Sequence, residues 1–271
     1  MSSVGVMRRL SQLMPSEEGR CVLVHAAADW CSVTGENQGA NSMASDIARC
    51  GVDGIIFSIN DGIRPLDVFL GKKAPAILMH VKSENLPHQD SSNPVGLNFA
   101  GGDFDQAVMQ AFRFGALVLV TDFTVGHDTD EGEANNFHAV SRMVSKSEEL
   151  GLPCLVTAIP TGNRITKETY ADCVGLASRM ASEAGAQCLA IPYPGNKDST
   201  TRILEATGVP TFLLQLPKEF SRSQPECDVA ELVDIALGTG ACGVILSSPK
   251  AKSQIDDIRW AVKTIHGAEP E

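Results

Sequence analysis

Reactive side chains in this sequence fall just past short apolar runs. His25 and Asp29 follow Cys21-Val22-Leu23-Val24, and His80 and Lys82 follow Ala76 to Met79. Asp122 closes Val118 to Thr121, Asn163 follows Leu155 to Ile159, and Tyr193 follows Cys188 to Ile191. Gln215 and Lys218 come after Phe212-Leu213-Leu214, and Ser247 ends Val244-Ile245-Leu246. A carboxylate or an imidazole held against a substrate can move protons. A lysine amine can condense with a carbonyl group and draw electrons from it. Lys82 stands out because it comes so soon after an apolar run, where burial favours the neutral, nucleophilic amine. His25, His80 and Asp122 also form a set whose residue types could hold a cation.

The elements that must position these groups repeat one phrase: a helical pattern, a glycine, a continuous apolar run, a polar loop. Gly51-Val-Asp-Gly-Ile-Ile, Gly115-Ala-Leu-Val-Leu-Val, Gly151-Leu-Pro-Cys-Leu-Val and Gly240-Ala-Cys-Gly-Val-Ile all carry it. Continuous apolar runs suit strands covered on both faces. The spacing predicts strands near 21–27, 54–59, 75–81, 116–121, 153–159, 187–192, 210–216 and 242–247. Helices are expected at 42–50, 103–114, 134–150, 168–184, 199–207, 228–238 and 253–265, with a helical turn at 65–70. Strands that alternate with helices in this way predict a single (β/α)8 TIM barrel over 1–271, with 1–19 as an N-terminal extension. No G-x-G-x-x-G follows the first strand, which argues against a doubly wound dinucleotide fold. In a barrel, groups just past the strands gather at one mouth. The long polar segment 83–102 reads as a lid or an active-site excursion.

Composition narrows the class. With 271 residues, 43% of them hydrophobic, the chain can bury one full core. A net charge of −11 argues against nucleic acid or an anionic membrane as partner. No apolar run is long enough to span a bilayer. The eight cysteines are scattered without CxxC spacing, so they read as small buried hydrophobes in a reducing cytoplasm. No cofactor and no metal ion is expected.

Each candidate also has a plain structural reading. His25 and His80 can be hydrogen-bonded interior histidines, and Asp29 can cap a loop. Lys218 and Lys250 can be rim lysines. Tyr193, between Pro192 and Pro194, reads as a rigid pocket wall. The acidic run 128–133 reads as a solvated loop that favours the helix following it.

Beyond single residues, the chain from Arg20 to Gly267 resembles the class I aldolases of the archaeal fructose-bisphosphate aldolase and autoinducer-phosphate thiolase type (the DeoC/DhnA-like group). Asp29, Gly35 and Gly39 stand at that family's spacing after strand one, with Trp30-Cys31 where it has His-Gly. Arg179, Glu183, Gly185 and Ala186 match its approach to strand six, and Pro217-Lys218 its exit from strand seven. The resemblance implies a barrel, a ring-like homo-oligomer and Asp29 as acid/base.

The departures from the family are chemical. The Schiff-base lysine of strand six is replaced by Ala190, and the acid/base tyrosine after strand five by Ile159. The phosphate-holding glycine turns become Gln215-Leu216 and Ser247-Ser248-Pro249. Ala190 is expected to face inward, leaving a void bordered by Tyr193 and Asp29. Breaking a carbon–carbon bond beside a carbonyl needs an electron sink, either an iminium or a cation. One reading is a divergent lyase or transferase acting on a small carbonyl compound, with Asp29 as acid/base and Lys82 as the substitute amine. His25, His80, Asp122, Asn163, Tyr193, Gln215, Lys218 and Ser247 would then line the substrate pocket. The alternative is a catalytically inactive barrel that serves binding or assembly.

Overall fold

The apolar runs become eight parallel strands, each paired with the next in chain order and closed by β8 on β1. They are β1 Cys21–His25, β2 Gly54–Ser58, β3 Ala76–His80, β4 Val118–Val125, β5 Cys154–Pro160, β6 Cys188–Pro192, β7 Thr211–Leu214 and β8 Gly243–Ser247. The computed structural model describes residues 4–14, 19–26, 40–58, 66–81, 103–127, 129–162, 164–216, 223–249 and 252–267. Helix α1, Val4–Leu13, precedes β1, and α2, Ala40–Arg49, follows it. A short 3-10 helix, Leu66–Phe69, comes after β2. The remaining strands are followed by α3 Phe104–Phe114, α4 Asp130–Glu149, α5 Tyr170–Glu183, α6 Lys197–Thr207, α7 Val229–Thr239 and α8 Lys252–Ile265. The fold is the expected single TIM barrel. None of the described helices is long and apolar enough to cross a membrane.

The period-2 alternation of the strands sorts their side chains into two layers. Leu23, Ile56, Leu78, Val120, Leu155 and Ile245 fill the barrel interior. Their chain neighbours Val24, Ile55, Met79, Leu119, Val156 and Val244 face the helices. Closure of the barrel depends on Gly243, which has φ +135° where β8 meets β1. A Cβ there would collide with the Cys21 carbonyl oxygen, so no larger residue fits without moving a strand.

Three elements differ from the expectation. Strand β4 runs to Val125 because Phe123, Thr124 and Val125 continue to pair with Ala158, Ile159 and Pro160. Asp122 therefore lies within a strand rather than after one. Helix α4 starts at Asp130, capped by the Thr129 side chain, which accepts from the Gly132 N–H. The acidic run is thus largely the first turn of a helix, where carboxylates meet the positive end of the macrodipole. Finally, part of the 1–19 extension folds as α1. Leu13 joins the interior cluster, and the Cys21 thiol donates to its carbonyl at 3.0 Å, so this helix covers the amino end of the barrel.

Candidate functional site

The layering carries four polar side chains that are fully buried, His25, His80, Asp122 and Thr157, into the interior at the carboxyl end of the strands. On β1 the inward positions are Cys21 and Leu23, which makes the next one His25. On β3 Leu78 leads to His80; on β4 Val118 and Val120 lead to Asp122. On β5 Leu155 and Ile159 flank Thr157. All four are buried to 2% exposure or less.

They meet one another. His80 Nε2 lies 2.8 Å from Asp122 Oδ2, and the Thr157 hydroxyl donates a hydrogen bond to Asp122 Oδ1. The His25 ring stands edge-on to His80, with centroids 5.1 Å apart. Burial alone would push the Asp122 carboxyl up. The charge and hydrogen bond of His80, the Thr157 hydroxyl and the charge of His25 outweigh it and bring the pKa down to about 2. Asp122 is thus a buried carboxylate, held ionised by its partners. Asp122 pairs in register with Thr157, Thr157 with Ala190, and Ala190 with Phe212, so the carboxylate shares a row with position 190. Ala190 is fully buried in the interior cluster. Around it Ile159, Phe212, Leu214 and Leu216 make an apolar wall on the side of β5 to β7.

The other candidates divide. Tyr193 does not border Ala190. Alternation along β6 turns it outward, where it packs against the helix-facing core. Burial there, with Glu231 and Cys227 nearby, raises its phenol above the ordinary value. Gln215 and Ser247 fasten the ends of β7 and β8 together. The Ser247 N–H donates to Gln215 Oε1 at 3.0 Å, and its hydroxyl to the Gln215 carbonyl at 2.8 Å. Arg164 is taken up by the His127 carbonyl and the Asp130 carboxylate, at 3.2 and 3.1 Å. Asp29, Lys82, Asn163, Lys218 and Lys250 lie outside the described residues, as do Asn60, Asp61, the segment 83–102 and the family-like Trp30, Cys31, Gly35 and Gly39. Among the described residues no three His, Cys, Asp or Glu side chains converge as a metal site; His80 and Asp122 face each other instead.

Residue-by-residue reading missed Thr157 and the loop crossing above it. The signal for Thr157 was present: one hydroxyl at an alternate position of an otherwise apolar run, with the parity of Leu155 and Ile159. The crossing is tertiary. Gly126 and Gly162, at φ +92° and +93°, cross so closely that a Cβ on either would strike backbone of the other loop. The Glu133 carboxylate accepts from the Gly126 and His127 N–H groups at 2.8 and 3.1 Å, tying the β4 exit to α4. His127 Nε2 meets the Thr124 hydroxyl at 2.6 Å in the same corner.

Comparison with known proteins agrees with this architecture. An uncharacterised aldolase of Saccharolobus solfataricus is 28% identical over 138 residues, covering 51% of this chain and 49% of that one. The 2-amino-3,7-dideoxy-D-threo-hept-6-ulosonate synthase of Halobacterium salinarum is 27% identical over 159 residues, or 58% of this chain and 56% of that one. The chain thus spans about half the length of the curated relatives it matches. The crystal structure of an archaeal fructose 1,6-bisphosphate aldolase superposes with TM-score 0.70 at 17% identity, over 97% of this chain and 100% of that one, a likeness of fold. Residues 46–249 match the family described as DeoC/LacD family aldolase. With that match spanning most of the chain and the barrel closed as described, this protein belongs to the DeoC/LacD family of aldolases.

Proposed function

We propose that the protein is a carbon–carbon lyase or transferase that acts on a small carbonyl compound without a Schiff base on strand six. The observation that carries this reading is the buried His25, His80, Asp122 and Thr157 cluster beside Ala190. A barrel kept only for its shape has no use for an ionised carboxylate and two imidazoles inside it, since burying them is costly. The family supplies the reaction class, and Ala190 removes the usual electron sink. Lys82, two residues beyond His80 in sequence, is the amine proposed to replace it. Asp29, four residues beyond His25, is the proposed acid/base for the hydroxyl group that forms or breaks with the bond. The apolar wall of Ile159, Leu214 and Leu216 suits an alkyl substituent better than a polyhydroxylated sugar phosphate.

The test is borohydride trapping with a panel of labelled aldehydes, ketones and 2-oxoacids, followed by mapping of the adduct. The adduct is expected on Lys82 and absent in Lys82→Met, with cleavage or condensation lost in Asp29→Asn. Turnover that survives both substitutions overturns the assignment. The same alanine at position 190 also favours a second reading, a barrel that binds without catalysis. That reading prevails if the wild type turns over nothing while Ala190→Lys gains trappable adducts.

A further inference from the structure

The His80–Asp122 pair has a geometry that assigns a proton. Asp122 is ionised and its Oδ2 lies 2.8 Å from His80 Nε2, so that nitrogen carries the hydrogen and donates it. His80 helps to hold Asp122 ionised when its ring is charged; when the ring is neutral, the lone pair sits on Nδ1. This atom is buried and has no hydrogen-bond partner among the described residues. A buried imidazole nitrogen normally finds one, so an unsatisfied one needs an explanation. Among the described residues, the titratable groups that face His80 are Asp122 from β4 and His25 from β1, and Asp122 also accepts from the Thr157 hydroxyl of β5.

We propose that His80 Nδ1 is the group that removes and returns a proton at the α-carbon of the bound carbonyl compound, with Asp122 as the positioning residue that fixes its tautomer. This rests on the reading of the site as a carbonyl lyase or transferase and adds the identity of its proton carrier. In the step, the α C–H bond breaks and an N–H bond forms at Nδ1. The electron pair of the C–H bond moves into the carbonyl group, or into the iminium nitrogen once an amine has condensed with it. A neutral imidazole thereby becomes an imidazolium, whose charge the Asp122 carboxylate offsets at Nε2. Asp29 retains the hydroxyl proton, so the two acid–base tasks are divided between two groups.

Two measurements on the full-length protein test this. Long-range ¹H–¹⁵N spectra distinguish the ring tautomers of its six histidines, and the pattern missing in His80→Gln identifies His80. The Nε2–H form is expected in the wild type, shifting toward Nδ1–H in Asp122→Asn while the ring stays in place. An Nδ1–H form in the wild type overturns the proposal, and this readout needs no variant to be active. The second measurement is solvent deuterium uptake at the α-carbon of 2-oxobutanoate and 2-pentanone. Uptake by the wild type is expected, falling on the order of 10²- to 10⁴-fold in His80→Gln and in Asp122→Asn. A folded wild type that exchanges neither probe, or uptake undiminished in His80→Gln, rejects it. The two proposals fail separately. Uptake without any carbon–carbon bond made or broken removes the lyase reading alone, whereas cleavage that persists in His80→Gln removes this one alone.

Discussion

At the scale of the residue, Asp122 couples the candidate chemistry to stability. A carboxylate buried in a barrel survives as an anion only if its partners outweigh the loss of hydration. Here one imidazole and one hydroxyl provide two hydrogen bonds to it. Because the folded-state pKa is lowered from 3.8 to about 2, the unfolded chain takes up the proton first as pH falls. The stabilisation is therefore complete above the unfolded value and is lost as pH drops through about 2. Urea denaturation between pH 5 and pH 2 should show the wild type losing roughly 2 kcal/mol more than Asp122→Asn. Parallel pH profiles for the two proteins would mean that the carboxylate is not held in this way.

At the scale of the element, β4 and β5 leave the sheet as a coupled pair. The close crossing at Gly126 and Gly162 brings the two exits together, and Glu133 on the first turn of α4 clamps the first of them. Substituting Glu133 by Ala strands the Gly126 and His127 N–H groups, which should cost about 1–3 kcal/mol. Glu133→Gln keeps an acceptor and should restore most of that loss. Chemical denaturation of both variants checks the order; equal losses would show that charge at the helix terminus matters more than the two hydrogen bonds. The interior row from Asp122 through Thr157 to Ala190 depends on β5 keeping its register between β4 and β6. A slip of one residue would turn Thr157 outward and separate the carboxylate from its hydroxyl partner.

At the scale of the whole molecule, the described interior positions at the carboxyl end are polar on β1, β3, β4 and β5 at His25, His80, Asp122 and Thr157, and apolar on β6 and β7 at Ala190, Phe212 and Leu214. Phosphate seats in such barrels are built from backbone N–H groups in the turns after strands seven and eight. In this chain Leu216 is buried in the interior cluster after β7, and Pro249 lacks an N–H after β8. Calorimetry should therefore detect no tight binding of fructose 1,6-bisphosphate, and a micromolar dissociation constant would contradict this account of the rim. The family resemblance also implies self-association. Light scattering should give a mass that is a whole multiple of the single chain, and a monomer at working concentration would exclude it.

Much of this was legible in the order of residues. Apolar runs on a βα spacing specify a parallel barrel because a strand covered on both faces cannot alternate with polar residues. Alternation puts Cys188 and Ala190 on one face and Leu189 and Ile191 on the other; the family resemblance marked the first face as the inner one, where the structure has it. The same rule turns Tyr193 outward, a point easily missed when a residue is judged by its loop rather than its strand. Helix α1 was hidden because its apolar positions Val6, Leu10 and Leu13 sit in a short polar segment, and only the open end of a barrel gives them something to cover. What tertiary structure decided was the pairing. His80 and Asp122 are 42 positions apart, and Thr157 lies 35 beyond Asp122. Strand spacing can put all three inside, but which nitrogen meets which oxygen depends on the stagger of β3, β4 and β5 around the closed sheet. That stagger is set by packing over the whole barrel, so the partner of Asp122, and with it the tautomer of His80, exists only in the folded molecule.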